Sequence, residues 1–335
     1  MTSVLVTHAD EPLGRRIVKR LFHDERIATI FAIGDGPPPH AFDRFLGEPE
    51  PRMLYTRVDL ARHRPMADLF HSARFRAAEI DTVIHLPRHG AAAAPTAQRI
   101  PGLTEQTAET RLVLQHCLET PGIENVIGVG SAFVYRLPPG NANRLDEHSE
   151  LDLEPDVLPE IRAWIDCDMI FHGEIHNDRI RVVLLRVPTI VTSGGYIYLN
   201  PLLSRASGLC IRSMGFDPIC ALISDKDVAR AVQTAIHTPC SGIYNIAGNE
   251  ALPLSRLSQW TGRTALPVPG PVLSWLSRGA RLLGVGTTSL DAPYRRYGFT
   301  LDTRRAERDL DFRPSVRIGL ARAGDGSLRL ETASL

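Results

Sequence analysis

The segment from Val4 to Gly14 constrains the fold more than any other part of the chain. It reads V-L-V-T-H-A-D-E-P-L-G, an apolar run followed by a short turn and by a helical pattern that continues to Leu21. A buried strand that enters a helix through a tight turn is the opening half of a βαβ unit. In sheets built from such units, this turn lies at the carboxyl end of the strand, where helix N–H groups can hold an anion.

Strand-like and helical segments alternate over the first half of the chain, which predicts a parallel sheet with crossover helices. Strands are predicted at 3–7, 28–33, 53–56, 82–86, 125–129 and 181–186, and helices at 15–22, 64–70 and 104–118. After Arg186 the alternation weakens. We expect a strand and turn at 187–195, a short helix at 201–207, a loop entering a helix at 222–238, a strand at 243–246 and an apolar helix at 272–283.

Composition excludes several classes of protein. Lys and Arg total 38, as do Asp and Glu, so there is no net charge to indicate a general nucleic-acid binder or a polybasic membrane tether. The five cysteines are scattered without a C-x-x-C pair, which is typical of reduced thiols rather than a disulfide frame or a metal site. Because the N-terminus enters a strand at once and no apolar run reaches ~18 residues, we expect a cytoplasmic protein without a transmembrane segment.

Eight segments occur in the order found in one enzyme family. They are T-H-A-D-E-P-L-G at 7–14, V-D-L at 58–60, V-I-H-L-P at 83–87, S-A-F-V-Y at 131–135, L-R-V-P at 185–188, D-V-A at 227–229, G-I-Y-N-I-A-G at 242–248, and 302–314, which ends L-D-F-R-P. Together they resemble the extended short-chain dehydrogenase/reductase family, and most closely its nucleotide-sugar epimerases and dehydratases. The resemblance covers nearly the whole chain.

The resemblance implies an α/β fold with a Rossmann-type doubly wound parallel sheet and a smaller C-terminal substrate-binding region. The dinucleotide-binding domain would comprise residues 1–188 and 221–249, and the substrate-binding region 189–220 and 250–335. The implied cofactor is NAD, a nucleotide sugar is a possible ligand, and Ser131 matches the catalytic serine. The residues expected to bind the cofactor are Thr7, Pro12, Leu13, Gly14, Asp35, Asp59, Leu60, Leu86, Pro87 and Pro188.

Asp35 follows Gly14 by 21 residues, close to the spacing of the acid that holds the adenosine ribose, although an acidic turn residue is an equal alternative. If Asp35 contacts ribose, NAD is favoured over NADP, because no arginine follows it to accept a 2′-phosphate.

Two glycines of the G-x-x-G-x-x-G turn are replaced, by His8 and Glu11. Side chains there crowd the turn and the approach of phosphate. Two like charges ~4 Å apart cost about 4 kcal/mol at an effective dielectric of 20, so we expect weak NAD binding. Asp10 is interpreted as the helix N-cap, with Pro12 in the first turn, and Arg15 or Arg16 as a partial offset to the acidic charge.

The family's Y-x-x-x-K couple is also missing, because 158–169 reads L-P-E-I-R-A-W-I-D-C-D-M and the lysine position falls near 164–166. We therefore expect little conventional catalysis and a role as a ligand-binding or partner subunit, assembled either as a homodimer or with a partner enzyme. The alternatives are an active epimerase, dehydratase or reductase that uses substitute residues, and a structural partner with an empty cleft.

Three further side chains have competing interpretations. His8 is a poor candidate for a replacement base, because no carboxylate partner can be assigned to it from sequence. His85 is interpreted as a core histidine and Tyr135 as a packing residue. The stretch 272–283 is interpreted as a helix over the cleft rather than an interfacial membrane helix.

Overall fold

The computed structural model describes residues 1–47, 51–86, 103–140, 143–155, 157–192, 197–200, 209–260, 264–282, 293–322 and 328–334. The loop containing Pro87 and the helix predicted at 201–207 lie outside these described residues.

The strands are β1 (Thr2–Val6), β2 (Ile27–Gly34), β3 (Met53–Arg57), β4 (Thr82–His85), β5 (Asn125–Ser131), β6 (Arg144–Leu145), β7 (Arg181–Val187), β8 (Thr189–Val191), β9 (Ile197–Tyr198), β10 (Leu209–Ser213), β11 (Ile219–Ser224), β12 (Gly242–Asn245), β13 (Ala251–Pro253), β14 (Thr264–Val268), β15 (Thr300–Leu301), β16 (Val316–Arg322) and β17 (Leu328–Ser334). The helices are α1 (Pro12–Phe22), α2 (Asp43–Leu46), α3 (His63–Phe70), α4 (Ala73–Ala77), α5 (Leu103–Glu119), α6 (Pro159–Glu174), α7 (Asp225–His237), α8 (Leu254–Trp260), α9 (Gly270–Leu282) and α10 (Arg304–Asp309).

Seven strands form the central sheet in the order β12-β7-β5-β4-β1-β2-β3. All neighbouring pairs are parallel, as the alternating pattern predicted. The order reverses between β1 and β4. Ligands of open α/β sheets bind in the crevice at the carboxyl ends of the strands beside such a reversal.

Apolar layers cover both faces of this sheet, which explains why its strands read as continuous hydrophobic runs. One layer contains side chains of α1, α7 and α10, and the other contains side chains of α3, α5 and α6. On α5, the spacing of Leu112, Val113 and Cys117 in the sequence predicts a buried stripe; Val113 and Cys117 are buried, but the third buried apolar residue is Leu114 rather than Leu112.

Smaller sheets and a separate apolar cluster follow the main sheet. β11 pairs with β8 and β13, so the loop predicted at 222–224 is instead the end of a strand. α9 matches the apolar helix predicted near the C-terminus, with Leu273 buried and Trp275 74% exposed. Within the described part of the chain, no helix is both long and apolar enough to cross a bilayer. The domain boundaries stay a prediction.

Candidate functional site

The turn after β1 packs tightly against α1 although two of the three expected glycines are replaced. His8 has a φ of 47°, in the left-handed region that normally favours glycine. A Cβ on Gly14 would lie 2.2 Å from the carbonyl oxygen of His8, so only glycine permits this approach of α1 to the turn. α1 begins at Pro12, next to Leu13, and its N-cap is Glu11 without a side-chain capping bond. The interpretation of Asp10 as N-cap is therefore wrong.

The His8 side chain points into the protein and contacts a carboxylate from α5. Its Nε2 lies 3.1 Å from Oε2 of Glu109, and both side chains are nearly fully buried. Burial by itself would lower the pKa of His8, but the hydrogen bond and charge of Glu109 outweigh it, and the charge of Glu11 adds to them, so the pKa is raised. Sequence reasoning missed Glu109. It lies four residues before buried Val113 on the same helical face, and that spacing was the available clue.

Thr7 and His85 join the ends of β1 and β4. The Thr7 hydroxyl accepts a hydrogen bond from the backbone N–H of Leu86 at 2.9 Å and lies 3.1 Å from Nδ1 of His85. Nε2 of His85 lies 3.0 Å from the hydroxyl of Thr110 on α5. Burial lowers the pKa of His85 to about 3, so the ring is neutral. His85 is the hydrogen-bonded core histidine that the sequence predicted.

The carboxylate of Asp10 lies at the end of β2, a position that the sequence did not predict. Asp10 accepts a hydrogen bond from the N–H of Gly36 at 2.9 Å, and a Cβ on Gly34 would lie 2.1 Å from its Oδ1. Gly34 therefore makes room for Asp10 beside Asp35. Burial raises the pKa of Tyr55, and the charges of Asp10 and Asp35 raise it further, so the negative charge is concentrated here.

Arg57 and Asp59, near the ends of β2 and β3, make contacts that the sequence did not predict. Arg57 donates from Nε to the backbone carbonyl of Asp35 at 2.6 Å, so a cation does lie near this strand end. Asp59 accepts from the N–H of Ala61 at 3.2 Å and pairs with Arg62 at 2.9 Å. Leu60 is fully buried. That Asp35, Asp59 and Leu60 contact a cofactor stays a prediction.

Ser131 ends β5 and lines a very small cavity. Its Oγ accepts a hydrogen bond from the N–H of Phe133 at 3.2 Å and so caps the 3-10 turn Ala132–Val134. The cavity has a volume of about 20 Å³, close to the space of one water molecule. It is lined by His85, Gln106, Thr110, Val129, Gly130, Ser131, Trp164, Cys167, Asp168, Phe171 and Leu184.

Two of the titratable groups around this cavity, His85 and Cys167, are poor acids and bases at neutral pH. His85 is neutral, and burial raises the pKa of Cys167 to about 11. α6, which supplies Trp164, Cys167 and Asp168, contains neither tyrosine nor lysine. The chain has only two lysines, Lys19 on α1 and Lys226 on α7. Proton transfer needs a group whose pKa lies near the working pH.

Tyr135 packs in an apolar cluster, as its interpretation as a packing residue predicted, and its hydroxyl also joins a buried polar network. Its hydroxyl donates to Oδ1 of Asn245 at 2.7 Å and accepts from Nη1 of Arg186 at 2.9 Å. Arg186 also forms two bonds to the carboxylate of Asp168, at 2.8 and 2.7 Å. Burial raises the pKa of Tyr135 to about 12 despite the charge of Arg186. Pro188 follows β7 and is buried. No group of side chains suited to a metal ion occurs among the described residues.

Comparisons with known proteins connect this geometry to a fold. No family model matches the chain. Uncharacterized proteins of Mycobacterium tuberculosis and Mycobacterium bovis are each 25% identical over 324 residues, covering 93% of this chain and 80% of theirs.

Solved structures with the same fold are nucleotide-sugar enzymes. The dTDP-glucose 4,6-dehydratase DesIV of Streptomyces venezuelae, with NAD and TYD bound, is 16% identical with a TM-score of 0.66, over 96% of this chain and 94% of that one. The UDP-glucose 4-epimerase of Bifidobacterium longum, in complex with NAD⁺ and UDP, is 14% identical with a TM-score of 0.65, over 94% of each chain. The chain therefore shares the fold of these enzymes.

Proposed function

We propose that the chain is an NAD-binding, epimerase-like protein that has lost the conventional catalytic couple and acts as a ligand-binding or partner subunit. The observation that carries the proposal is the composition of α6, which offers Trp164, Cys167 and Asp168 to the cavity beside Ser131 instead of a phenol and an ammonium. A bound NAD would supply hydride transfer. Of the titratable groups beside Ser131, His85 is held neutral by burial and the pKa of the Cys167 thiol is raised to about 11, so neither is matched to proton transfer at neutral pH.

The strand ends suit the adenosine half of NAD better than that of NADP. Gly14 permits the close approach of α1 that a pyrophosphate at the helix N-terminus requires. The carboxylates of Asp10 and Asp35 favour hydroxyl donors, such as those of a ribose, and repel a 2′-phosphate. Arg57 lies at the same strand end, but its single positive charge is outweighed by the two carboxylates.

Weak binding follows from Glu11, because its carboxylate belongs to the N-cap residue of α1, where the diphosphate would lie. His8 obstructs the approach of the diphosphate less than the sequence predicted, because its ring turns inward to Glu109. Replacing Glu11 by glutamine removes the charge and keeps the size. A relief of ~1.4 kcal/mol corresponds to about tenfold tighter binding.

Calorimetric titration with NAD measures this directly. We expect a gain of at least about tenfold for Glu11→Gln, and a similar gain for the double variant His8→Gly, Glu11→Gly. A wild-type protein that binds NAD tightly, or variants without a gain, would contradict this role of the turn.

Turnover separates a binding subunit from an enzyme. We expect no robust change in NADH absorbance and no interconversion across a panel of nucleotide sugars. Any residual activity should be lost in Ser131→Ala. Robust turnover that survives Ser131→Ala would show that substitute residues perform the chemistry.

Two further experiments identify what the protein binds. Mass spectrometry of small molecules released on denaturation identifies the ligand, and co-purification tests for a homodimer or a partner enzyme.

A further inference from the structure

A second concave site lies on the outer side of α1. It has a volume of about 560 Å³, within the range of ~300–1,000 Å³ typical of small-molecule sites. One wall is formed by α1, and the other by the 3-10 turn at His40–Phe42 together with α2. The lining residues are Pro12, Arg15, Arg16, Lys19, His40, Ala41, Phe42, Asp43, Arg44 and Phe45.

Positive charge dominates this cleft. Arg15 and Lys19 form no ion pair with any acidic side chain in the described part of the chain. The only carboxylate in the lining is that of Asp43, which is 68% exposed and lies 3.5 Å from Nδ1 of His40. Unpaired cations facing the same concave surface repel one another, and an anion bound between them relieves this repulsion.

Two of the arginines are held in place by neighbouring groups. Arg16 donates from Nε to the carboxylate of Asp225 on α7 at 3.0 Å. The guanidinium of Arg44 lies 4.5 Å from the ring centroid of Phe45. Held in this way, cations lose less conformational freedom when an anion binds. Guanidinium groups also match the geometry of phosphate oxygens.

We propose that this cleft binds a small phosphate-bearing molecule at a second site, which adjoins the dinucleotide turn at Pro12 and extends along α1 to Lys19. Lys19 lies seven residues after Pro12, which places it about 10 Å further along the helix axis. A phosphate bound at Lys19 is therefore distinct from one at the N-terminus of α1.

Amine acetylation tests the proposal at the level of the residue, since Lys19 and Lys226 are the only lysines. The full-length protein is acetylated with and without inorganic tripolyphosphate, AMP or adenosine, and each lysine is quantified by mass spectrometry. We expect the phosphate-bearing probes to slow the reaction of Lys19 by about threefold or more, and to do so less at high salt. Adenosine should have no effect, and Lys226 serves as the internal control. Stronger protection by AMP indicates a nucleotide ligand, and stronger protection by tripolyphosphate an inorganic one.

Variants separate the cleft from the dinucleotide turn. Arg15→Gln with Arg44→Gln should abolish the protection of Lys19, whereas Arg64→Gln, on the exposed side of α3, should leave it intact. The double variant His8→Gly, Glu11→Gly should also leave it intact, whatever that variant does to NAD affinity. Equal protection of both lysines, no protection of Lys19, or protection that changes with His8 and Glu11 would overturn the proposal.

Discussion

Replacing Gly14 by alanine tests how closely α1 must approach the turn after β1. The added Cβ would lie 2.2 Å from the carbonyl oxygen of His8 and 2.7 Å from Cα of Ala9. Both are backbone atoms that cannot rotate away. Because non-bonded carbons pack best at about 3.5–4.0 Å, α1 must move outward by about 1 Å.

The cost of this movement can be worked out from the side chains beneath α1. Leu13, Ile17, Val18 and Leu21 are all fully buried. Each such side chain contributes about 1.5–3 kcal/mol, and a gap of about 0.5–1 Å forfeits a quarter to a half of the contact energy. The four side chains together therefore lose about 1.5–6 kcal/mol. Alanine returns about 0.5–1 kcal/mol as the better helix former, which leaves a net loss of about 1–5 kcal/mol.

Urea unfolding followed by circular dichroism measures this loss. Gly173→Ala is the matched control, because Gly173 also lies in a helix and its Cβ would meet no atom within 4 Å. That variant should gain about 0.5–1 kcal/mol. If Gly14→Ala were as stable as the wild type, or gained as much as the control, the argument from backbone contact would be refuted.

The remaining predictions concern buried charges. Asp168→Asn leaves Arg186 buried without its carboxylate and should lower the free energy of unfolding in urea by about 3–5 kcal/mol. Asp309→Asn, at the more exposed pair with Arg308, is the control and should lower it by less than about 1 kcal/mol. Equal losses in the two variants would contradict this account. The raised pKa of His8 stabilises the fold below the unfolded value of about 6.5, and this stability is lost as pH rises through the folded pKa. Glu109→Gln removes the charge that raises the pKa of His8, so burial then lowers that pKa. The folded state of this variant therefore favours the neutral ring, and its stability should rise with pH. The advantage of the wild type in thermal melts should shrink as the pH rises above the unfolded value of about 6.5, and a constant difference would refute the pairing.

The central sheet could be predicted from sequence because its strands are buried on both faces. All seven of its strands were predicted within one or two residues, since a strand between two helix layers must be continuously apolar. The whole of β11 (Ile219–Ser224) was missed. Its partners β8 and β13 lie elsewhere in the chain, so no local pattern separates residues 222–224 from a loop.

The site was less predictable, because its contacts join distant residues. Asp10 bonds to Gly36 across 26 positions, and His8 meets Glu109 across 101. From the sequence alone, Asp10 could equally well cap the neighbouring helix or bond to a distant residue. The sequence therefore could not decide where its side chain points. By contrast, the absence of a phenol and an ammonium from α6 was readable directly, because it depends on residue types and not on contacts.

The late position of α7 and β12 in the chain has a consequence for biosynthesis. β12 completes the sheet edge beside β7, and α7 packs on α1 through Arg16 and Asp225 and through Arg20 and Gln233. A ribosome adding about 5–20 residues per second needs roughly 3–12 s to go from the end of β7 to the end of β12. During that interval β7 is an open edge of the sheet, and Arg16 and Arg20 lack their partners on α7. An unpaired strand edge is a template for pairing with another chain, so the nascent chain passes through a stage at which it is more prone to aggregate.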